Sequence, residues 1–212
     1  MEDRVEAVAK KFATEHPMNE DFWSKHIKSV AIAQQMASEW NRLAIANKPV
    51  IFLEPTGYQR SGSPADDDVM IGEKVLVEPY VPGEFKKYNS NSGWVCDAID
   101  GEEMLQAFSH WTYHKSNGTQ LVCDIQGVRC RECYRLTNPV INSSLGDCGI
   151  TDLGIEGINA FLYHHECNRF CNPQWKKIAD PQKPNFIAPT SHTTFGPGMG
   201  MSSASSRRTL AK

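Results

Sequence analysis

The chain has 212 residues, a formal charge of −3 and 40% hydrophobic residues, enough apolar content for one core or two small lobes and too much for a disordered chain. The near-neutral balance and a pI of about 6.2 argue against nucleic acid as the main partner, because phosphate binding shows as a basic surplus. No segment approaches the ~20 apolar residues needed to cross a bilayer, and Met1-Glu-Asp-Arg4 opens the chain with charge and no apolar run behind it, so the expectation is a soluble, cytoplasmic protein without a membrane partner.

In chain order, Val5–Phe12 reads as a strand around Lys10, although its alanines would equally suit a helix. Taken alone, Lys10 is an ordinary exposed lysine. Residues 21–46 carry Phe22, Ile27, Val30, Ile32, Met36, Trp40, Leu43 and Ile45 at mostly three- and four-residue intervals, which predicts an amphipathic helix broken once. Pro49–Leu53 is a short buried-type strand. Thr56–Asp68, rich in Gly, Ser, Pro and Asp, reads as a mobile loop, and Lys74–Glu78 is a second strand. The Pro79-Tyr-Val-Pro-Gly83 stretch places a lobe boundary near residue 80, so the expected units are 1–80, 81–178 and a disordered tail over 179–212.

Beyond that boundary, Glu84–Gly93 is polar with no strong period. Glu102–Thr112 predicts a helix with Met104, Leu105, Phe108 and Trp111 on its apolar face. Asn117-Gly118 is a two-residue turn, and Gln120–Asp124 is a strand ending on an acid, a place where a loop presents a carboxylate from a rigid base. Cys130 and Cys133 form a C-x2-C without a second copy, read as an incidental loop pair. Gly146–Gly154 is glycine-rich but lacks the Lys-Ser or Lys-Thr of a nucleotide-binding P-loop. Asp152 or Thr151 is expected to cap a helix whose Ile155, Ile158, Phe161 and Leu162 face the core.

The cysteines number seven, an odd count that suits free thiols and a metal site better than a disulfide framework. His165, Cys167 and Cys171 in Tyr163-His-His-Glu-Cys-Asn-Arg-Phe-Cys171 are spaced H-x-C-x3-C. These are three ligands of the type zinc takes, and a closed tetrahedral site wants a fourth. Spacing alone leaves several His and Cys residues open for that place. His165 and Cys167 would point to different sides of a regular helix, so the helix should end near Glu166.

Taken together and in order, VAKKF, VEPYVPGEFKKYNSNSG, FSHWTYH, LVCDIQGV, LTNP, TDLGIEGI and HHECNRFC resemble the alpha-kinase domain, the atypical protein kinases related to elongation-factor-2 kinase and myosin heavy chain kinase. The likeness spans roughly residues 5–175. It implies an α+β, two-lobed protein-kinase-like fold with ATP in the cleft and a structural zinc in the C-terminal lobe. On that resemblance the zinc ligands are His110, His165, Cys167 and Cys171. Lys10 stands where the family lysine holds the ATP phosphates, and Glu78 to Val81, including Tyr80, is the hinge that meets adenine through backbone groups, so side-chain identity there says little. Asp124 matches the catalytic aspartate, Gln126 falls at a magnesium-binding position, and Asn138 falls where the family has a second metal ligand or a phosphate-contacting acid. The implied activity is transfer of the ATP γ-phosphate to a serine or threonine hydroxyl of a protein substrate, with Mg2+ as cofactor.

Two departures accompany the resemblance. Asn138 stands where the family has an aspartate, which removes a negative charge from the magnesium site, and the chain starts at the lysine strand, so the N-lobe reads as truncated. These support an alternative, a zinc-stabilised pseudokinase acting as a protein-binding module.

Overall fold

The computed structural model describes residues 5–10, 20–59, 74–96, 101–184 and 207–210. The chain divides into two compact units. The first comprises residues 1–19, 53–82 and 189–212, and the second residues 20–52 and 83–188. This differs from one continuous 1–80 lobe, because the long helix and the strand after it belong with the second unit.

In the first unit, β1 (Val5–Lys10), β3 (Thr56–Gln59), β4 (Lys74–Pro79) and β10 (Arg207–Leu210) form an antiparallel sheet in the order β10-β1-β4-β3. The expected 56–68 loop therefore begins with a strand, and its residues 60–68 lie outside the described residues. Thr56-Gly-Tyr-Gln59 lacks apolar alternation because it is an edge strand, held by its ladder to β4. Four residues of the expected tail likewise pair with β1.

The second unit is built on α2 (Glu103–Lys115), in which every residue from Met104 to Tyr113 is buried. Burial all round explains why its polar residues Gln106, Ser109, His110 and Thr112 needed internal partners rather than a solvent face. Against it pack α1 (Glu20–Arg42), the sheet β2-β8-β7-β5 (β2 Val50–Phe52, β5 Phe85–Lys87, β7 Gln126–Arg129, β8 Tyr134–Leu136) and the antiparallel pair β6 (Gln120–Cys123) and β9 (Val140–Ser143). Helix α3 (Gly154–His164) covers β9. The core centres on Trp40, whose ring lies 5.8 Å from Phe108, 5.7 Å from Trp111 and 6.0 Å from Trp175; edge and tilted arrangements of this kind add to the area buried.

Helix α1 runs unbroken. Ser29 at its middle hydrogen-bonds the carbonyls of Lys25 and Cys148, so its hydroxyl is satisfied and ties the helix to the loop that carries Cys148. Ile155, expected in the core, is 54% exposed, because Gly154 and Gly157 form the face of that turn which meets Ser143 and Asn142 of β9, and residue 155 lies about 100° round the helix from Gly154. The cap position is Leu153. Asp152 nevertheless serves the terminus, with Oδ1 accepting from Gly154 N at 2.8 Å and from Ser143 N at 2.9 Å. The polar 84–93 segment turns inward at Asn89, which accepts from Ile125 N at 2.9 Å and donates to Gln106 and Ser109. Its composition reflects a buried hydrogen-bond network.

Candidate active site and metal centre

Asp124 sits in the link between β6 and β7 with a left-handed φ of 56°, a conformation that costs a non-glycine residue about 1 kcal/mol or more unless its surroundings impose it. They do. Ile125, its neighbour, is tied through its N–H to Asn89 Oδ1 and through its carbonyl to Tyr88 N. Strand β5 pairs with β7 so that Lys87 faces Gln126, and Asp124, two residues before Gln126, is brought to the same side. Lys87 Nζ lies 2.6 Å from Asp124 Oδ1, and Gln126 Nε2 donates to Asp124 Oδ2 at 2.7 Å. The aspartate side chain is 15% exposed. Burial raises its carboxyl above the ordinary carboxylate range, and the Lys87 ammonium and the two hydrogen bonds oppose that rise without cancelling it.

Asn138 also has a left-handed backbone, φ 48°, which an asparagine tolerates. Thr137 N donates to Gln126 O at 2.9 Å, so Asn138 leaves the end of β8 beside the end of β7 from which Asp124 emerges. Gly127 is needed between them: a Cβ there would lie 2.1 Å from Arg135 O and 2.7 Å from Leu136 Cα. Only glycine lets the β7–β8 hairpin close at this point.

In the first unit, Lys10 Nζ lies 2.6 Å from Glu78 Oε2, across the β1–β4 ladder that sets Val8 opposite Glu78. Glu78 is buried, and burial lowers the Lys10 ammonium from its usual value while Glu78 opposes the shift. Within the 78–81 stretch it is therefore the Glu78 carboxylate that holds Lys10. Tyr80 N donates to Glu6 O at 2.9 Å.

The second cluster joins α2 to the chain after α3. His110, His165, Cys167 and Cys171 bring one ligand atom each to within 4.8 Å of one another. His165 Nε2 lies 3.2 Å from His110 Nδ1, Cys167 Sγ 3.7 Å from His110 Nδ1, and Cys171 Sγ 3.5 Å from His165 Nε2. Around a tetrahedral ion with metal–nitrogen distances of about 2.05 Å and metal–sulfur distances of about 2.3 Å, the nitrogen–nitrogen edge is about 3.3 Å and the nitrogen–sulfur edge about 3.6 Å. The four donors fit a metal of this type. Helix α3 stops at His164, and His165 turns out of it with an extended backbone, which is what allows residues 165 and 167 to converge. Burial depresses both imidazoles, His165 to about 3 with His110 adding to the effect, and pushes the Cys171 thiol up to about 11. Neutral imidazoles are the ligand form; the thiols need an ion to draw off their protons. Among the described residues, Cys130 and Cys133 join no such group; they face each other across the β7–β8 turn, Cys130 N donating to Cys133 O at 2.9 Å.

The alpha-kinase family profile matches residues 1–171. The chain belongs to the alpha-kinase family. Human eukaryotic elongation factor 2 kinase is 34% identical over 172 residues, which is 77% of this chain and 21% of that protein. An alpha kinase from Entamoeba histolytica superposes with a TM-score of 0.69 at 26% identity, over 85% of this chain and 72% of that one. The inactive alpha-kinase domain of myosin-II heavy chain kinase A, solved in complex with ATP, gives 0.64 at 31% identity, over 77% and 61%. The chain spans about a fifth or less of the length of the curated relatives it matches.

Within this alpha-kinase fold, sequence reasoning missed Lys87, hidden in a polar segment without periodicity; its signal was its place on a strand opposite Gln126. It also missed Trp175 and Lys176, which touch His110 and His114 from beyond the matched region.

Proposed function

We propose that this chain is the catalytic domain of an ATP-dependent protein kinase that phosphorylates serine or threonine. The observation that carries the reading is Asp124: a partly buried carboxylate on a strand end, clamped by Lys87 and Gln126, in a chain related to a domain solved with ATP.

In this reading Lys10 contributes a positive point charge to the ATP phosphates, and Glu78 holds that ammonium in place. Asp124 orients the substrate hydroxyl and accepts its proton as the hydroxyl oxygen bonds to the γ-phosphorus and the bond to the departing ADP oxygen breaks. Lys87 stays beside Asp124 and favours its ionised form, the form that can take a proton. Gln126 and Asn138, with Asp124, offer the oxygen donors magnesium prefers; when bound, Mg2+ would neutralise charge on the β- and γ-phosphates. His110, His165, Cys167 and Cys171 are assigned to a structural zinc, supported by the match between their separations and tetrahedral edges. All four positions around the ion are then filled by protein, so the metal holds α2 to the 165–171 segment and takes no part in transfer.

Asn138 favours a second reading, a zinc-stabilised pseudokinase that binds protein partners. Transfer of label from γ-labelled ATP to a basic acceptor protein tests both readings. The kinase reading expects transfer by the wild type and its loss in Asp124→Ala. A silent wild type with activity gained in Asn138→Asp identifies the pseudokinase.

A further inference from the structure

The family match ends at Cys171, yet the next eleven residues are fastened to all three helices of the second unit. Trp175 is buried against Trp40 of α1 at 6.0 Å, meets His110 of α2 edge-on at 5.4 Å and stacks on His114 at 6.3 Å. Lys176 follows, its N–H donating to His114 Nδ1 at 3.2 Å and its Nζ to Asn117 O at 2.8 Å and Asn117 Oδ1 at 3.1 Å. Further on, Gln182 N donates to Asn159 Oδ1 at 3.0 Å and Asn159 Nδ2 donates to Gln182 O, which secures the segment to α3.

The decisive contact is His110 Nε2 to Lys176 O at 3.0 Å. A carbonyl oxygen can only accept, so Nε2 must carry the proton. In a neutral imidazole that leaves Nδ1 with the lone pair, and Nδ1 is the atom that faces His165 Nε2 and Cys167 Sγ.

Resting on the zinc reading above, we infer that residues 172–182 form a strap whose Lys176 carbonyl and Trp175 ring position His110 as an Nδ1 metal ligand, and that the strap sets how long the ion is retained. Trp175 and Lys176 are positioning residues: they touch the imidazole and not the ion. The carbonyl fixes the tautomer, and the indole blocks rotation of the ring. Loss of an outer partner of this kind costs about 10- to 100-fold in metal affinity. Lys176 reaches the imidazole through its backbone carbonyl, whereas Trp175 acts through its aromatic ring.

The test uses the full 212-residue chain loaded with one zinc per molecule, comparing wild type, Trp175→Ala and Trp175→Phe. Zinc release to a chromogenic chelator is followed in time, melting is measured with and without zinc, and the ring nitrogens of His110 are read by NMR in the wild type. The inference expects a protonated Nε2 and a metal-bound Nδ1 in the wild type. It also expects release about 10- to 100-fold faster in Trp175→Ala and largely restored in Trp175→Phe, which keeps an aromatic wall. His110 bound through Nε2 would overturn it whatever the variants do. So would Trp175→Ala releasing zinc at the wild-type rate while melting lower by the same amount with and without the ion, since the tryptophan would then be packing alone. A wild type that takes up no zinc defeats the metal reading itself, a failure distinct from zinc bound but indifferent to residue 175.

Discussion

Lys87 Nζ and Asp124 Oδ1 lie 2.6 Å apart, a pairing imposed by the β5–β7 register. It opposes the burial that raises the Asp124 carboxyl. Removing the cation in Lys87→Gln leaves burial less opposed, so the carboxyl rises further and is protonated over more of the working range. An opposite charge at this distance is worth about 1–3 pKa units. The acid limb of the kcat/KM profile should therefore move to higher pH in Lys87→Gln, by about 1–3 units. A profile with an unmoved acid limb would show that Asp124 is not the titrating group.

The Lys10–Glu78 pair answers a different question. Glu78 is 2% exposed, and breaking such a pair from one side leaves a buried charge missing its cation, at a cost of about 3–5 kcal/mol. Lys10→Met should thus lower the melting temperature and raise KM for ATP. The double variant Lys10→Met/Glu78→Met restores apolar packing without isolated charge, so it should recover much of the stability and none of the nucleotide affinity. Recovery of both by the double variant would remove Lys10 from ATP binding.

Chelation of the metal centre should destabilise the C-terminal part of the second unit, since a structural zinc contributes its binding free energy to folding. The sign of the pH effect follows from the histidines. His165 falls from 6.5 to about 3 in the folded, ion-free chain, so between those values the unfolded chain binds a proton that the folded chain refuses. Stability of the ion-free protein is therefore lost as pH falls from about 6.5 towards 3. Zinc affinity should drop in the same direction, because protons compete for the thiols as well. Urea melts at several pH values, with and without zinc, check both slopes.

Legibility in the sequence followed the range of the interactions. Helix α2, the strand ending before Asp124 and the Asn117-Gly118 turn are set by near neighbours, and their patterns can be read locally. His110 could not be read that way: its partner His165 is 55 residues distant, and a histidine on a helix looks the same whether it packs or ligates. Family motifs supplied that link. Lys87 was lost for a similar reason, since its significance lies in a strand register, and β3 because an edge strand can do without apolar alternation. The exposed Ile155 shows the opposite error, an apolar residue assigned to the core face when Gly154 and Gly157 take the side of the turn that meets β9.

Gly127 gives a stability prediction independent of chemistry. Its φ is 151°, and a Cβ at this position would come within 2.1 Å of Arg135 O, so Gly127→Ala must push the β7 and β8 backbones apart. A rigid backbone neighbour cannot yield as a side chain would, and a loss of at least about 2 kcal/mol is expected. Equilibrium urea unfolding measures it; a variant as stable as the wild type would mean the hairpin closes differently.

Asn138 offers the sharpest separation of kinase from pseudokinase. Its backbone is left-handed, φ 48°, and aspartate tolerates that region as asparagine does, so Asn138→Asp changes charge with little change of shape. On the magnesium reading above, the added carboxylate strengthens attraction for a divalent cation. The expected outcome is a lower magnesium requirement for nucleotide binding and faster phosphotransfer. If magnesium titrations of nucleotide affinity coincide for the two proteins, residue 138 does not face the metal. Transfer by the wild type at a rate the variant cannot improve would make the amide sufficient for catalysis.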